Sequence, residues 1–573
     1  MTREVVKGSH NSIHGKRLNI SWHGLAVPVI VVLATFLRLA LLAQGFPLTS
    51  SDEGTVGLMA MHIAYRGDLP IFYYGQGYMG PFEAYFGALL FHLFGPSLFT
   101  LRLGLALVFA CFLVSAYLLI RLLYTRSWAL IMLLLLSLGT SNTIARQLTA
   151  LGGYPETLLF SALSFLLATH LALSWQGDPP VQQQRRRYLL YGCWGLLVGL
   201  GTWTDTLVVP FALLSGLILV RFCWHELRRW AGKYLLLGLL IGLAPVIIYN
   251  IIVPFRTLTD LWNVDHTAYA NIPITLPFFL QNIVGTFIIS VPSMIGGYPL
   301  CPLTDLPPFG PGSAATLRCT MVQASWSLGY LALMTFAIAL AWRGFHQRWQ
   351  QQRNTQEMLP APERAIMIHH FARLMLLGSA VLTIALFTLS PVSAQTPSGS
   401  ARYLIGLLLC TPAVLWPLWR GIGAFRQHGQ KFAYSRLALQ GALLLCIGIL
   451  AVLGTLNIFT SMPAVRAHNQ EQDALIAHLL RLHATHIYSE YDTCNRLIFL
   501  TQEHIICSVL DPSLRPGVDR YALYTTIVHS DPRATYVFPQ TSVQAAALAR
   551  SEPFSARQYK YFNFDGYVIY QPV

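Results

Sequence analysis

The chain has 573 residues, of which 54% are hydrophobic and only 11% charged, and its mean hydropathy is +0.51. That is too apolar for a soluble protein of this length and predicts a polytopic α-helical membrane protein. The net charge of +14 would suit nucleic acid, but the cations sit between apolar runs and so mark one side of a bilayer; no nucleic-acid partner is expected.

The first apolar run, about residues 25–42, is of full spanning length and no small-residue cleavage site follows it. It reads as an uncleaved anchor behind a cytoplasmic tail, residues 1–23, with Arg38 near enough to its outer end to snorkel. Eleven runs are long enough to span, near 24–44, 99–122, 127–145, 157–175, 188–205, 207–223, 234–253, 326–342, 371–389, 403–419 and 437–459. Two weaker runs, 80–95 and 274–292, read as interfacial. The first is short and carries Glu83 and His92, and the second has Pro277 near its start and Gln281-Asn282 near its middle. With the tail (Arg3, Lys7, Lys16, Arg17) in the cytoplasm, the basic loops around Arg121, Arg185 to Arg187, Arg228, Arg348 and Lys431 all fall inside. Outside, before the C-terminal tail, only Arg66, Arg102, Arg146, Arg256, Arg318 and Arg402 remain. Letting 80–95 cross alone would flip every later basic loop to the wrong side.

The transmembrane region thus covers 24–460, with a first external loop at 45–98 and a long one at 254–325. Residues 461–573 mix a helical pattern at about 470–482 with strand-like pieces at 486–488, 505–507, 534–538 and 567–570, which predicts a small extracytoplasmic α/β domain. The nine cysteines form no CxxC pair. Cys301 and Cys319 share the long Pro-rich loop (Pro299, Pro302, Pro307, Pro308, Pro311), where a disulfide would close it in an oxidising compartment; Cys494 and Cys507 are a second candidate pair.

The first external loop holds the most informative residues. Asp52 and Glu53 lie a few residues past the first span, followed by an amphipathic stretch (Val56, Met59, Ile63) and an aromatic, glycine-rich segment, Phe72-Tyr73-Tyr74-Gly75-Gln76-Gly77-Tyr78. Sugar transfer from a lipid phosphate to a hydroxyl needs a carboxylate for the acceptor proton, cations for the leaving phosphate, and an entrance for the lipid. Asp52 or Glu53 can be the base, since a carboxylate beside a low-dielectric surface accepts a proton better than one in bulk water. Arg146 and Arg402, the latter followed by Tyr403, sit at external ends of spans, and an Arg fork suits phosphate geometry. Tyr73, Tyr74 and Tyr78 form either an interfacial aromatic belt or a sugar platform.

An Asp-Glu pair outside the first span, an amphipathic stretch, an interfacial helix ending Leu93-Phe94-Gly95, and Arg102-Leu103 opening the next span together resemble the GT-C superfamily of membrane glycosyltransferases. Protein O-mannosyltransferases and aminoarabinose transferases are nearest in layout, and Arg402-Tyr403-Leu404 entering a late helix is similar too. The resemblance implies Asp52 as catalytic base, Glu53 as its structural partner paired with Arg102, a polyprenyl-phosphate sugar as donor and an inverting transfer to a protein, lipid or glycan acceptor. It departs where the family often has His-Pro-Pro, here Met79-Gly80-Pro81, and the acid of the second external loop is supplied by Glu156.

Plainer readings stand beside these. Asp52 and Glu53 suit a helix N-terminus, as does Glu156; Arg102 and Arg402 could reach headgroups; and Asp205 borders the same surface. The histidines have no ligand spacing, so no metal or other cofactor is expected beyond the lipid-linked donor. The rival function is a transporter or flippase, but no duplicated set of spans is visible. The expected location is a prokaryotic plasma membrane, with the N-terminus cytoplasmic.

Overall fold

The computed structural model describes residues 22–175, 181–269, 275–297, 301, 314–355, 360–428, 433–550 and 559–573. The tail cations Arg3, Lys7, Lys16 and Arg17, the prolines of the long loop and Lys431 lie outside them. The chain is a multi-pass membrane protein. Seven described helices are long and apolar enough to cross a bilayer, ten if each of three sharply bent pairs is one span.

Helix α1 is Trp22–Ala43 and α2 is Ser51–Arg66. Ser50 caps α2 by accepting from the Glu53 amide, the acids Asp52 and Glu53 occupy its first turn, and Gly67 ends it in the left-handed region. Helix α3, Phe82–Phe94, has 13 residues, too few for the ~20 that a bilayer demands. Then follow α4 (Leu98–Leu123), α5 (Arg126–Ser137), α6 (Ser141–Leu148), α7 (Tyr154–Leu173), α8 (Val181–Thr204) and α9 (Val209–Phe222). The run expected to span at 127–145 is folded on itself: α5 and α6 meet at 86°. Thr140 caps α6 and starts it afresh. Similar bends of 59° and 75° interrupt the runs at 234–253 and 403–419.

Two expectations need correcting. Arg38 does not snorkel. Its side chain is fully buried, donating to the Ala34 and Ser137 carbonyls and to Gln147 Oε1 at 2.7 Å, with the guanidinium 3.8 Å from the Phe109 ring. A cation near a span end can face protein as readily as lipid, and here three acceptors reward the inward choice. The run read as interfacial at 274–292 is long and apolar enough to cross as Leu276–Ile295. Its polar residue Asn282 is buried in protein, and a π-helical stretch at Gly285–Ser290 brings the Ser290 hydroxyl to the Pro397 carbonyl at 2.8 Å.

A long helix runs unbroken from Ala433 to Arg481, carrying the chain from the apolar bundle into the C-terminal residues. These form a five-stranded sheet: β1 (His486–Ser489), β2 (Ile506–Val509), β3 (Thr535–Pro539), β4 (Tyr559–Phe564) and β5 (Tyr567–Pro572), in the order β2-β1-β3-β5-β4. Strand β1 is parallel to both neighbours, whereas β4 and β5 are an antiparallel hairpin. Asp565 and Gly566 turn that hairpin with positive φ at both positions, as a type I′ turn requires. Disulfides join Cys301 to Cys319 and Cys494 to Cys507. The sheet domain has no private core on its inner side: Val56, Leu58 and Met59 of α2 and Phe91 of α3 share one apolar cluster with Leu497, Ile498 and Phe499.

Candidate active site

The capped first turn of α2 sends its two carboxylates in different directions. Glu53 points inward and is wholly buried. Arg102, also buried, grips it as a fork, Nε to Oε1 at 2.8 Å and a terminal nitrogen to Oε2 at 2.6 Å, and the Ala150 amide adds a third bond at 3.2 Å. Arg102 is itself oriented by the Pro47 carbonyl at 2.7 Å. The pairing implied by the resemblance forms, and it leaves Glu53 no free lone pair directed at solvent. Asp52 is different: its side chain is 37% exposed. All its described partners meet at Oδ1, namely the hydroxyls of Tyr491 and Tyr73 (the latter at 3.3 Å) and Arg520 at 3.4 Å. No described residue bonds Oδ2.

Arg402 is close enough to Asp52 for their charges to interact, and also to Tyr154, Tyr403 and Arg146. Its guanidinium lies 5.3 Å from the Tyr403 ring. The Nε atoms of Arg146 and Arg402 are both buried without a hydrogen-bond partner among the described residues. Two neighbouring guanidiniums with no carboxylate ion pair among the described residues form an arrangement that an anion would relieve. Tyr78 joins this group; burial first, then neighbouring Tyr403, push its hydroxyl up to about 12, so at neutral pH it is a donor. Tyr74 does not. Its hydroxyl meets His62 Nδ1 at 2.9 Å and its ring packs at a tilt against Tyr521, in the contact between α2 and the sheet domain.

Near Glu53 and Arg402 lies a cluster of buried acids, of which the sequence pointed to only a part. Glu83, at the start of α3, accepts from the Gly152 and Gly153 amides at 3.3 and 2.8 Å. Both glycines have positive φ, at 120° and 81°, which turns the two amides to one side. Burial holds the Glu83 carboxyl above the usual carboxylate range despite these donors, and it faces Glu156 in the first turn of α7. Asp205 caps the turn at Thr206–Val208 through the Leu207 amide at 2.9 Å; burial pushes its carboxyl up to about 7. The clue to Glu83 was a carboxylate in an apolar run, where charge needs a reason. Tyr491 and Arg520 had no such clue, since they arrive from more than 430 positions away.

An apolar cavity of about 300 Å³ opens beside α6, lined by Leu135, Leu138, Met294, Trp326, Leu408 and Leu415, with Thr143 and Gln147 flanking the position of Arg146. Among the described residues no group of three His, Cys, Asp or Glu is arranged to hold a metal.

No protein-family model matches the chain, and no curated protein matches it. Among solved structures it is similar to ArnT from Cupriavidus metallidurans, bound to undecaprenyl phosphate, with a TM-score of 0.53 at 14% identity over 97% of this chain and 98% of that one. The archaeal oligosaccharyltransferase AglB from Archaeoglobus fulgidus, in complex with an inhibitory peptide and a dolichol-phosphate, gives a TM-score of 0.48 at 14% identity, covering 96% of this chain and 74% of that one. At such identity the likeness to ArnT is one of fold.

Proposed function

We propose that the protein is a glycosyltransferase that moves a sugar from a polyprenyl-phosphate carrier to an acceptor hydroxyl, at the side of the membrane where its sheet domain lies, which is the extracytoplasmic side. The observation that carries this reading is the pair of half-buried arginines, Arg146 and Arg402, whose buried Nε atoms have no partner among the described residues, with Arg402 near the half-exposed carboxylate of Asp52 and an apolar cavity lined by Thr143 and Gln147 on either side of position 146. A phosphate on a greasy chain matches both the charge and the cavity.

In the reaction the acceptor oxygen attacks the anomeric carbon from the face opposite the phosphate. A new carbon–oxygen bond forms as the bond to the phosphate oxygen breaks, the configuration inverts, and Oδ2 of Asp52 takes the hydroxyl proton. Negative charge grows on the departing phosphate, where Arg146, Arg402 and the hydroxyls of Tyr78 and Tyr403 stabilise it. Glu53 and Arg102 fix the first turn of α2, so the base is aimed before substrate arrives. Glu156 and Glu83 border the sugar. The test is Asp52→Asn in membranes supplied with a polyprenyl-phosphate sugar. Loss of a general base lowers transfer by about 10²–10⁴-fold; transfer at the wild-type rate would end the assignment.

A further inference from the structure

The sheet domain sits on α2 more closely than two independent modules would. At Gly54 an added Cβ would lie 2.6 Å from the Asn495 carbonyl oxygen, and at Gly57 it would lie 2.6 Å from the Phe499 ring. Ser51 Oγ accepts from the Asn495 amide at 3.2 Å. The helix Tyr491–Leu500 therefore lies flush against the catalytic helix, and only Glu490 separates it from the carboxyl end of β1. Arg520 comes from the connection after β2, the parallel neighbour of β1. Open α/β sheets present their functional loops at the carboxyl ends of parallel strands, and here that edge is turned onto Asp52.

The contacts form a directed chain. Arg520 Nε donates to the Tyr491 hydroxyl at 2.8 Å, and that hydroxyl donates onward to Asp52 Oδ1. A terminal nitrogen of Arg520 reaches the same oxygen at 3.4 Å, and the guanidinium covers the Tyr73 ring at 4.9 Å. Nearby, an added Cβ at Gly75 would lie 3.1 Å from the Asp519 carbonyl, so this loop is seated in the first external loop. Every described donor to the carboxylate grips Oδ1, and Oδ2 of the half-exposed side chain has none among the described residues. A carboxylate base works best when its rotamer is held and one lone pair is offered.

We propose that the C-terminal domain completes the active site, with Tyr491 and Arg520 acting as positioning residues that hold Asp52 by Oδ1 and present Oδ2 to the acceptor hydroxyl. The domain is thus a component of the catalytic machinery and not a separate acceptor-binding module. The inference rests on the reading of Asp52 as the base.

The experiment uses the full-length protein in native membranes, which carry the natural acceptor, with metabolically labelled lipid-linked sugars from the same cells as donor. Tyr491→Phe and Arg520→Met lower kcat at least tenfold while the donor KM stays within twofold, and Arg520→Lys recovers much of the loss. Combining Arg520→Met with Asp52→Asn adds nothing to Asp52→Asn alone. A readout independent of turnover is carbodiimide labelling of Asp52, followed by mass spectrometry, which rises in both single variants as the grip is lost. Wild-type kcat in both variants, or a faster enzyme, would overturn the proposal; if Asp52→Asn is dead in that case, the base assignment survives without it. An active Asp52→Asn would remove both.

Discussion

At the scale of single residues, adjacent carboxylates of α2 have opposite fates, and mutations should separate them. Glu53 and Arg102 are a buried pair, 0% and 1% exposed, with further bonds to backbone. Removing one partner strands a charge out of water, which costs about 3–5 kcal/mol. Glu53→Gln and Arg102→Met should therefore lower the thermal midpoint in detergent and the yield in membranes, whereas Asp52→Asn should leave both nearly unchanged. The buried acids predict a pH dependence of stability. Burial raises Asp205 to about 7 and lifts Glu83 in the same direction, so the folded state prefers them neutral. The stability this brings is complete below about pH 4, where the unfolded carboxyls are also protonated, and is lost as pH rises through about 7. The melting temperature should fall between pH 5 and pH 8, and Asp205→Asn should flatten that slope; an unchanged slope would show that these groups ionise freely.

Among the elements, the elbow between α5 and α6 sets where the phosphate would be held. From α1, Arg38 ties the last carbonyl of α5, at Ser137, to Gln147 of α6, next in sequence to Arg146. A hydrogen bond involving a charged group contributes about 1.5–3 kcal/mol. Arg38→Met should let the elbow relax and raise the KM for the lipid-linked donor by about tenfold or more, with kcat less affected; equal KM values would show that the bend holds itself. The sequence displayed much of this scale and hid the rest for identifiable reasons. Asp52, Glu53 and Arg102 were legible because their spacing relative to a span is local. The bent pairs were not, because hydropathy averages over a window and carries no direction. Nor does a polar residue such as Asn282 announce whether it faces lipid or protein. Tyr491 and Arg520 depend on how two distant segments dock, which periodicity does not encode.

For the molecule as a whole, the question is what keeps the sheet domain seated on the bundle. One tie is polar: Glu503 binds Arg66 at 2.5 Å, the Tyr524 hydroxyl at 2.6 Å and His62 at 3.2 Å. Burial alone would raise this carboxyl, but bonds from His62 and Tyr524 and the charges of His62 and Arg66 outweigh it and bring Glu503 down to about 2. Its contribution is present above about pH 4 and disappears only as pH falls through about 2, so this tie holds throughout the physiological range. The other tie is steric fit along α2, and it offers the sharper test. At Gly54 the atoms facing an added Cβ are backbone, the Asn495 carbonyl and the Arg496 amide at 2.6 and 2.7 Å, and backbone cannot rotate aside. Gly54→Val must therefore push the helix Tyr491–Leu500 away, although valine itself is tolerated within a helix at a cost of less than about 1 kcal/mol. The bundle, whose main apolar core includes no residue of the sheet domain, should still insert and purify. The domain should then open to limited proteolysis in the short connection between Arg481 and His486, ahead of β1, and transfer should be lost even though Asp52, Arg146 and Arg402 are intact. Retained transfer with an exposed, cleavable domain would mean that the bundle alone suffices for the chemistry.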